Sequence, residues 1–222
     1  MLKYFTTIFF MCAVVYASAQ QKEIDSLEKV LPSLHDTARV DCLNELSYCY
    51  TYISKKDSAE YYATVAETEA KKLNYIHGIA ESVSRQAGIA EHFENNFFKE
   101  EELAKKALSW YNLTSNKKNI NIIYKQLDFA FFAQSYYDKS IYWTKKAYEY
   151  DKQTGNSYEA TGEIGSLAST NIAKGDYDKG FDFAQQFLQL ALKFKNEAQI
   201  KGAINTIGQL YLRIENYPAA LN

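Results

Sequence analysis

The chain has 222 residues, 47% of them apolar and 23% charged, with a formal net charge of -2. This is the composition of an ordinary folded protein long enough to bury a core. Two prolines and nine glycines are too few for an all-β chain, which needs turn residues about every 8 to 12 positions, and the near-neutral charge offers no basic stripe to nucleic acid or an anionic membrane.

The first twenty residues, MLKYFTTIFFMCAVVYASAQ, place Lys3 before an apolar run from Tyr4 to Val15, followed by Ala17, Ser18 and Ala19. A basic start, an apolar stretch too short to span a bilayer comfortably and a small-x-small site follow the order of a secretory signal peptide. Residues 1–19 are therefore expected to be a cleavable leader, cut after Ala19, and the chain to be exported. Cys12 follows Phe9, Phe10 and Met11, not the small residues that precede a lipid-bearing cysteine. Residues 20–37, with the amphipathic run EIDSLEKVLPSLHDT, are expected to form an N-terminal capping helix. Cys42 and Cys49 lie seven positions apart on one predicted helix. Two helical turns separate their α-carbons by about 10 Å, too far for a disulfide, so both are expected to be small buried apolar residues.

From there the chain repeats itself. SRQAGIA (84–90), YKQLDFA (124–130), IGSLAST (164–170) and INTIGQL (204–210) recur every 40 residues, and LNELSYC (43–49) fits with a step of 41. Phe97, Tyr137, Tyr177 and Tyr217 keep the same interval, as do Asn116, Asn156 and Asn196. Asparagine tolerates a left-handed backbone, so these three are expected at helix ends between units. Each unit reads as helix A, a polar turn, helix B and a loop. In the fourth, helix A spans about Glu159 to Lys174 with Ile164, Leu167 and Ile172 on one stripe, and helix B runs from about Asp178 to Lys195 with Phe181, Ala184, Phe187, Leu188 and Ala191 inward.

These residues resemble the tetratricopeptide repeat, whose signature is a large residue, Leu-Gly and Tyr in helix A, an aromatic after the turn and alanines in helix B. The unit ending the chain supplies Ile204, Ile207, Gly208, Tyr211, Tyr217 and Ala220; the first supplies Leu43, Leu46, Tyr50, Ala59, Ala63 and Ala66; the third, Tyr124, Leu127, Phe131, Tyr137 and Ala147. Ser140 and Gly180 replace an expected alanine, Glu91 and Asn171 stand where tyrosine is usual, and the period exceeds the common one of about 34 residues. The resemblance implies an all-α, right-handed α-solenoid of antiparallel helix pairs. Its five units would cover about 38–77, 78–118, 119–158, 159–198 and an incomplete 199–222. The order of leader, short helix and repeats also resembles the exported front half of tetratricopeptide sensor histidine kinases of Bacteroidota-type bacteria, and related regulators with a helix-turn-helix output. That implies a periplasmic sensory region, tethered to the membrane by a segment beyond Asn222. A free-standing periplasmic scaffold or assembly factor is the alternative.

The stretch AKGDYDKGFDFA (173–184) has glycine spacing suggestive of a phosphate loop, yet Phe181 and Asp182 stand where lysine and a hydroxyl must grip phosphate and magnesium. Asp176, Asp178 and Asp182 hint at calcium, but a calcium loop needs an oxygen ligand at Gly180 and a glutamate at Phe187. It is read as the turn of the fourth repeat. No second histidine stands three or four residues from His35, His77 or His92, and all three are expected on the surface or in the groove. No catalytic set, metal site or cofactor is expected.

What remains is a surface. In tetratricopeptide repeats the A helices line the concave face, which by position implies a groove of Asn44, Tyr48, Tyr52, Arg85, His92, Phe93, Lys125, Phe129, Phe132, Asn205 and Gln209. Rings supply buried area and polar groups fix register, a combination suited to a protein or peptide partner; alternatively Phe93, Phe129 and Phe132 pack between adjacent helices. Helix B of the last unit stops after one turn, so Ile207, Leu210, Tyr211 and Leu221 are expected to be uncovered and open to self-association.

Overall fold

The forty-residue period is written into the backbone. Across residues 20–114 and 119–215, which a computed structural model describes, every regular element is a helix. The expected leader, Asn116, Tyr217, Ala220 and Leu221 lie outside the described residues. Residues 20–30 are helical (α1) and run into a 3-10 turn at Leu31–Ser33, where Pro32 stands at its start. There follow α2 (Asp36–Tyr52), α3 (Lys56–Lys72), α4 (Ile76–Glu94), α5 (Phe97–Tyr111), α6 (Ile120–Ala133), α7 (Tyr137–Gln153), α8 (Ser157–Lys174), α9 (Tyr177–Lys193) and α10 (Glu197–Arg213). No helix among the described residues is long and apolar enough to cross a membrane.

Each turn from an A helix to a B helix pivots on one residue with positive φ: Ser54, Asn95, Ser135 and Gly175, with Glu215 next in step. Phe97, Tyr137 and Tyr177 then open α5, α7 and α9. The turns from B to A pivot on Asn74, Gly155 and Lys195. Here the structure corrects the expectation for the junction asparagines. Asn156 and Asn196 have φ of -80° and -92° and start the following helix, accepting through their side chains the N–H of Glu159 and Gln199. An N-cap satisfies an orphan amide of the first turn, and the left-handed residue is the one before it.

The chain divides into two compact units, one through Asn119 and one from Ile120. In the first, α2 to α5 pack in succession and α2 also meets α4. Val40, Leu43, Ala66, Ala70 and Ile79 form one core cluster. Ile24 of α1 closes the open end by packing on Cys42, Leu46 and Cys49, both cysteines being free and buried. In the second unit α6 to α10 pack in succession and α8 also meets α10; Ile164, Phe187 and Ala203 cluster there. The B-helix alanines Ala59, Ala63, Ala66, Ala104, Ala107, Ala147, Ala184 and Ala191 are all fully buried, because a small side chain lets neighbouring helices approach. Leu210 is buried as well, contrary to expectation, and Ile207 and Tyr211 are half-buried, while Ile204, Leu212 and Ile214 are the large apolar side chains exposed on α10 and at its end.

The stretch 173–184 contains the end of α8, a left-handed Gly175 (φ 90°) and the start of α9. Gly180 is a contact point: a Cβ there would lie 2.6 Å from Ile172 Cγ1 and 3.2 Å from the Ile172 backbone nitrogen. Gly180→Val is therefore expected to cost about 1–3 kcal/mol by overpacking, read as a lower urea midpoint at unchanged slope. Gly162→Ala, whose Cβ would meet only Gln199 Nε2 at 3.7 Å, should hold or gain stability.

Candidate functional site

Three A helices of the second unit, α6, α8 and α10, enclose an open groove of about 430 Å³. Its floor is low because α8 presents Gly162, Gly165, Ser166 and Ser169 along one face. At Gly165 the small residue is enforced from below, since a Cβ there would lie 2.6 Å from the ring of Phe187. Phe129 and Phe132 of α6 form one wall, Asn205 and Gln209 of α10 the other. Phe129 is 44% exposed, a large apolar surface left to water at the rim.

A second hollow, of about 480 Å³, shares Asp128, Phe129, Gly162 and Ser166 with the first and continues to Lys125, Tyr158, Glu159, Glu163 and Gln199. Together they form one trough with an apolar end and an ionic end. Lys125 bridges α6 to α8, pairing with Glu159 and with Glu163 Oε1 at 3.1 Å. Glu163 is 5% exposed, and burial pushes its carboxyl up to about 7 against the opposing pull of Lys125. Burial also raises Asp128, although Ser140 Oγ donates to it at 2.6 Å, and raises Asp151, which accepts from Asn121 Nδ2 at 2.7 Å. Gln199 donates through Nε2 to Tyr158 O at 2.8 Å, while its Oε1 is buried without a partner.

Oxygens of Asp151, Glu159 and Glu163 lie within 4.8 Å of one another, and the Lys125 ammonium pairs with the last two from one side, leaving each carboxylate further acceptor capacity. Among the described residues Glu23, Glu45 and Cys49 form a second such group. There burial raises the Cys49 thiol against the opposing pull of Gln20 Nε2, which donates to its sulfur at 3.2 Å, and a raised thiol is a poor source of the thiolate a metal takes.

No protein-family model matches the chain, and no curated protein matches it significantly. Solved structures do. A signal-transduction ATPase with numerous domains and a tetratricopeptide repeat sensor, from Pyrococcus horikoshii, superposes with a TM-score of 0.76 at 15% identity, over 93% of this chain and 32% of that one. A putative kinesin light chain with nearly identical TPR-like repeats, from Podosopora anserina, gives 0.70 at 14% identity, over 85% and 92%. A Rap protein complexed with competence and sporulation factor gives 0.69 at 14% identity, over 93% and 70%. The fold is a tetratricopeptide-type helical repeat. The chain spans about a third of the length of the Pyrococcus protein.

Within this tetratricopeptide-type fold the eleven expected groove residues separate. Phe129, Phe132, Asn205 and Gln209 come together around the groove and Lys125 stands in its extension. The other six lie in the first unit. The Tyr48 and Tyr52 rings lie 4.8 Å apart, tilted by 58°, and the Arg85 guanidinium covers the Tyr48 ring at 4.7 Å while donating to Glu81 at 2.9 Å. Arg85 is thus already engaged. Asn44 does not reach the surface: it is fully buried and its Nδ2 contacts Gly78 O at 3.4 Å, tying α2 to α4. Phe93 packs on Ala59, Ala63 and Ile89. His92 is exposed, beside Ser54 Oγ at 3.3 Å. His77, expected on the surface or in the groove, is instead buried, its ring edge-on to Tyr111 at 5.4 Å, because it faces the seam between α4 and α5.

Sequence reasoning missed the floor and the acids. Stepping forty residues from Lys125 and Phe129 reaches Gly165 and Ser169, which would have identified α8 as the floor. Glu159 and Glu163, one turn apart at the start of an otherwise apolar helix, were the available sign of the ionic end.

Proposed function

We propose that this chain is a non-catalytic, exported interaction module that binds a protein or peptide segment in the trough across α6, α8 and α10, as the periplasmic sensory region of a membrane-tethered signalling protein. The observation that carries the binding reading is the trough itself: half-exposed Phe129 beside Phe132 on one wall, amide side chains on the other, and a glycine and serine floor where a backbone can lie close. Rings and amides in this arrangement suit an extended segment or a helix. Two structural relatives support the choice by analogy, one described as carrying a repeat sensor and one solved with a bound factor. A ligand touching three helices at once would favour one packing of them over another, and that difference is what an output module could read.

The test places a photoreactive phenylalanine analogue at Phe129 and, separately, at Tyr142, an exposed residue of α7 outside the trough. In cells of the source organism a discrete adduct should form from position 129, be absent from position 142, and vanish when Phe132 is also changed to Asp. Equal, unspecific labelling at both positions would sink the reading. With the photoreactive residue moved to position 132, Phe129→Asp is expected to abolish the adduct with a melting temperature within a few degrees of wild type, because the Phe129 ring is already half in water. Export is checked by N-terminal sequencing of the mature protein, which should begin at Gln20.

A further inference from the structure

The ionic end of the trough is made almost entirely of acceptors. Asp128, Glu159 and Glu163 line it and Asp151 stands within 4.8 Å of the last two. Among the described residues that line this end, the ammonium facing the carboxyls is that of Lys125. An independent observation points the same way. Gln199, 8% exposed, lines this hollow with its amide nitrogen committed to Tyr158 O, so its Oε1 is a buried acceptor with no donor in the protein. Buried acceptors in native proteins normally have a donor, and here carboxyl groups, themselves acceptors when ionised, line the hollow beside the orphan. A group with several N–H donors would satisfy this acceptor together with Glu159 and Glu163.

We propose that the trough takes an extended peptide whose basic side chain enters the acceptor cluster of Glu159, Glu163 and Gln199 while a neighbouring apolar side chain lies against Phe129 and Phe132. Arginine fits better than lysine. Its planar guanidinium presents five donors in a fixed fork that serves two carboxylates and a carbonyl together, where an ammonium is a point charge. The two ends share Asp128, Phe129, Gly162 and Ser166, so one short segment spans both. This rests on the reading of the trough as a peptide site and adds the sign and class of its occupant.

Random heptapeptides displayed on phage are selected on the full chain, and the best is synthesised with its basic residue either as arginine or as citrulline, which is uncharged. The expected result is a sequence set enriched in Arg or Lys beside an apolar residue and lost on Phe129→Asp. Glu159→Gln should weaken the synthetic peptide about tenfold, as should citrulline, on the scale of a charged hydrogen bond. Glu159 is half-exposed, so that variant should fold, and Gln199→Leu, checked by an unchanged melting curve, is a second probe. Peptides that depend on Phe129 but show no basic preference, or bind Glu159→Gln equally, overturn this inference and leave the peptide site standing. No Phe129-dependent peptide at all overturns both. Tight calcium binding by wild type that Glu159→Gln abolishes would assign the cluster to a metal ion and overturn the proposal as well.

Discussion

Leu127→Ala is expected to destabilise the second unit by about 2–5 kcal/mol and to lower its melting temperature by roughly 5–15 °C. Leu127 is fully buried on α6, on the helix that also carries Phe129 and Phe132, and its removal leaves a cavity that rigid neighbouring helices cannot collapse into. The register supplies the control. Ile207 occupies the same place in the sequence repeat eighty residues on, but on α10 it is only half-buried, so Ile207→Ala removes less area from a dry environment and should cost roughly half as much. Urea unfolding of both variants at one pH decides it. Equal losses would mean that the repeat position, not the burial of the side chain, sets the energy.

That control also shows how far the sequence could be read. Periodicity fixes which residues are equivalent: Phe97, Tyr137 and Tyr177 each open a B helix, and the B-helix alanines are all buried. It does not fix how much each equivalent position is covered, since that depends on which helices flank it. Asn44 and Phe93 hold groove positions by register yet end in packing, where α2 and α4 meet directly. Phe129 and Phe132 hold comparable positions beside α8, whose glycines and serines leave space above them. The groove is therefore a property of a neighbour's small side chains, legible only when two repeats are laid over one another. The junction asparagines illustrate the complementary failure: asparagine suits both a helix start and a left-handed helix end, and only the backbone shows that Gly155 and Lys195 take the second role.

The same register isolates one residue that contradicts its position. Ala59, Ser140 and Gly180 are the buried small residues that let a B helix close on its partner, and in the second repeat that place is held by Glu100, 2% exposed with Oε2 unpartnered. Burial pushes its carboxyl up to about 8, and the charge of Glu91 adds to the rise. In the unfolded chain the group titrates near 4.3. Between those values the folded state holds a proton that the unfolded state has lost, so stability is greatest below about pH 4 to 5 as far as this group is concerned. It falls as pH rises toward 8, and is then level. At pH 7 the cost is on the order of 3 kcal/mol. Glu163, Asp128 and Asp151, also raised by burial, slope the same way, so the diagnostic is a difference between proteins and not the wild-type curve alone. Glu100→Gln should be more stable than wild type at pH 8 and lose that advantage as the pH is lowered to 5. Glu100→Met, similar in length and without a polar head, guards against an amide that finds no acceptor. Parallel stability curves for wild type and both variants between pH 5 and 8 would show that Glu100 is ionised and solvated in the folded protein, and that the helix pair opens to admit water.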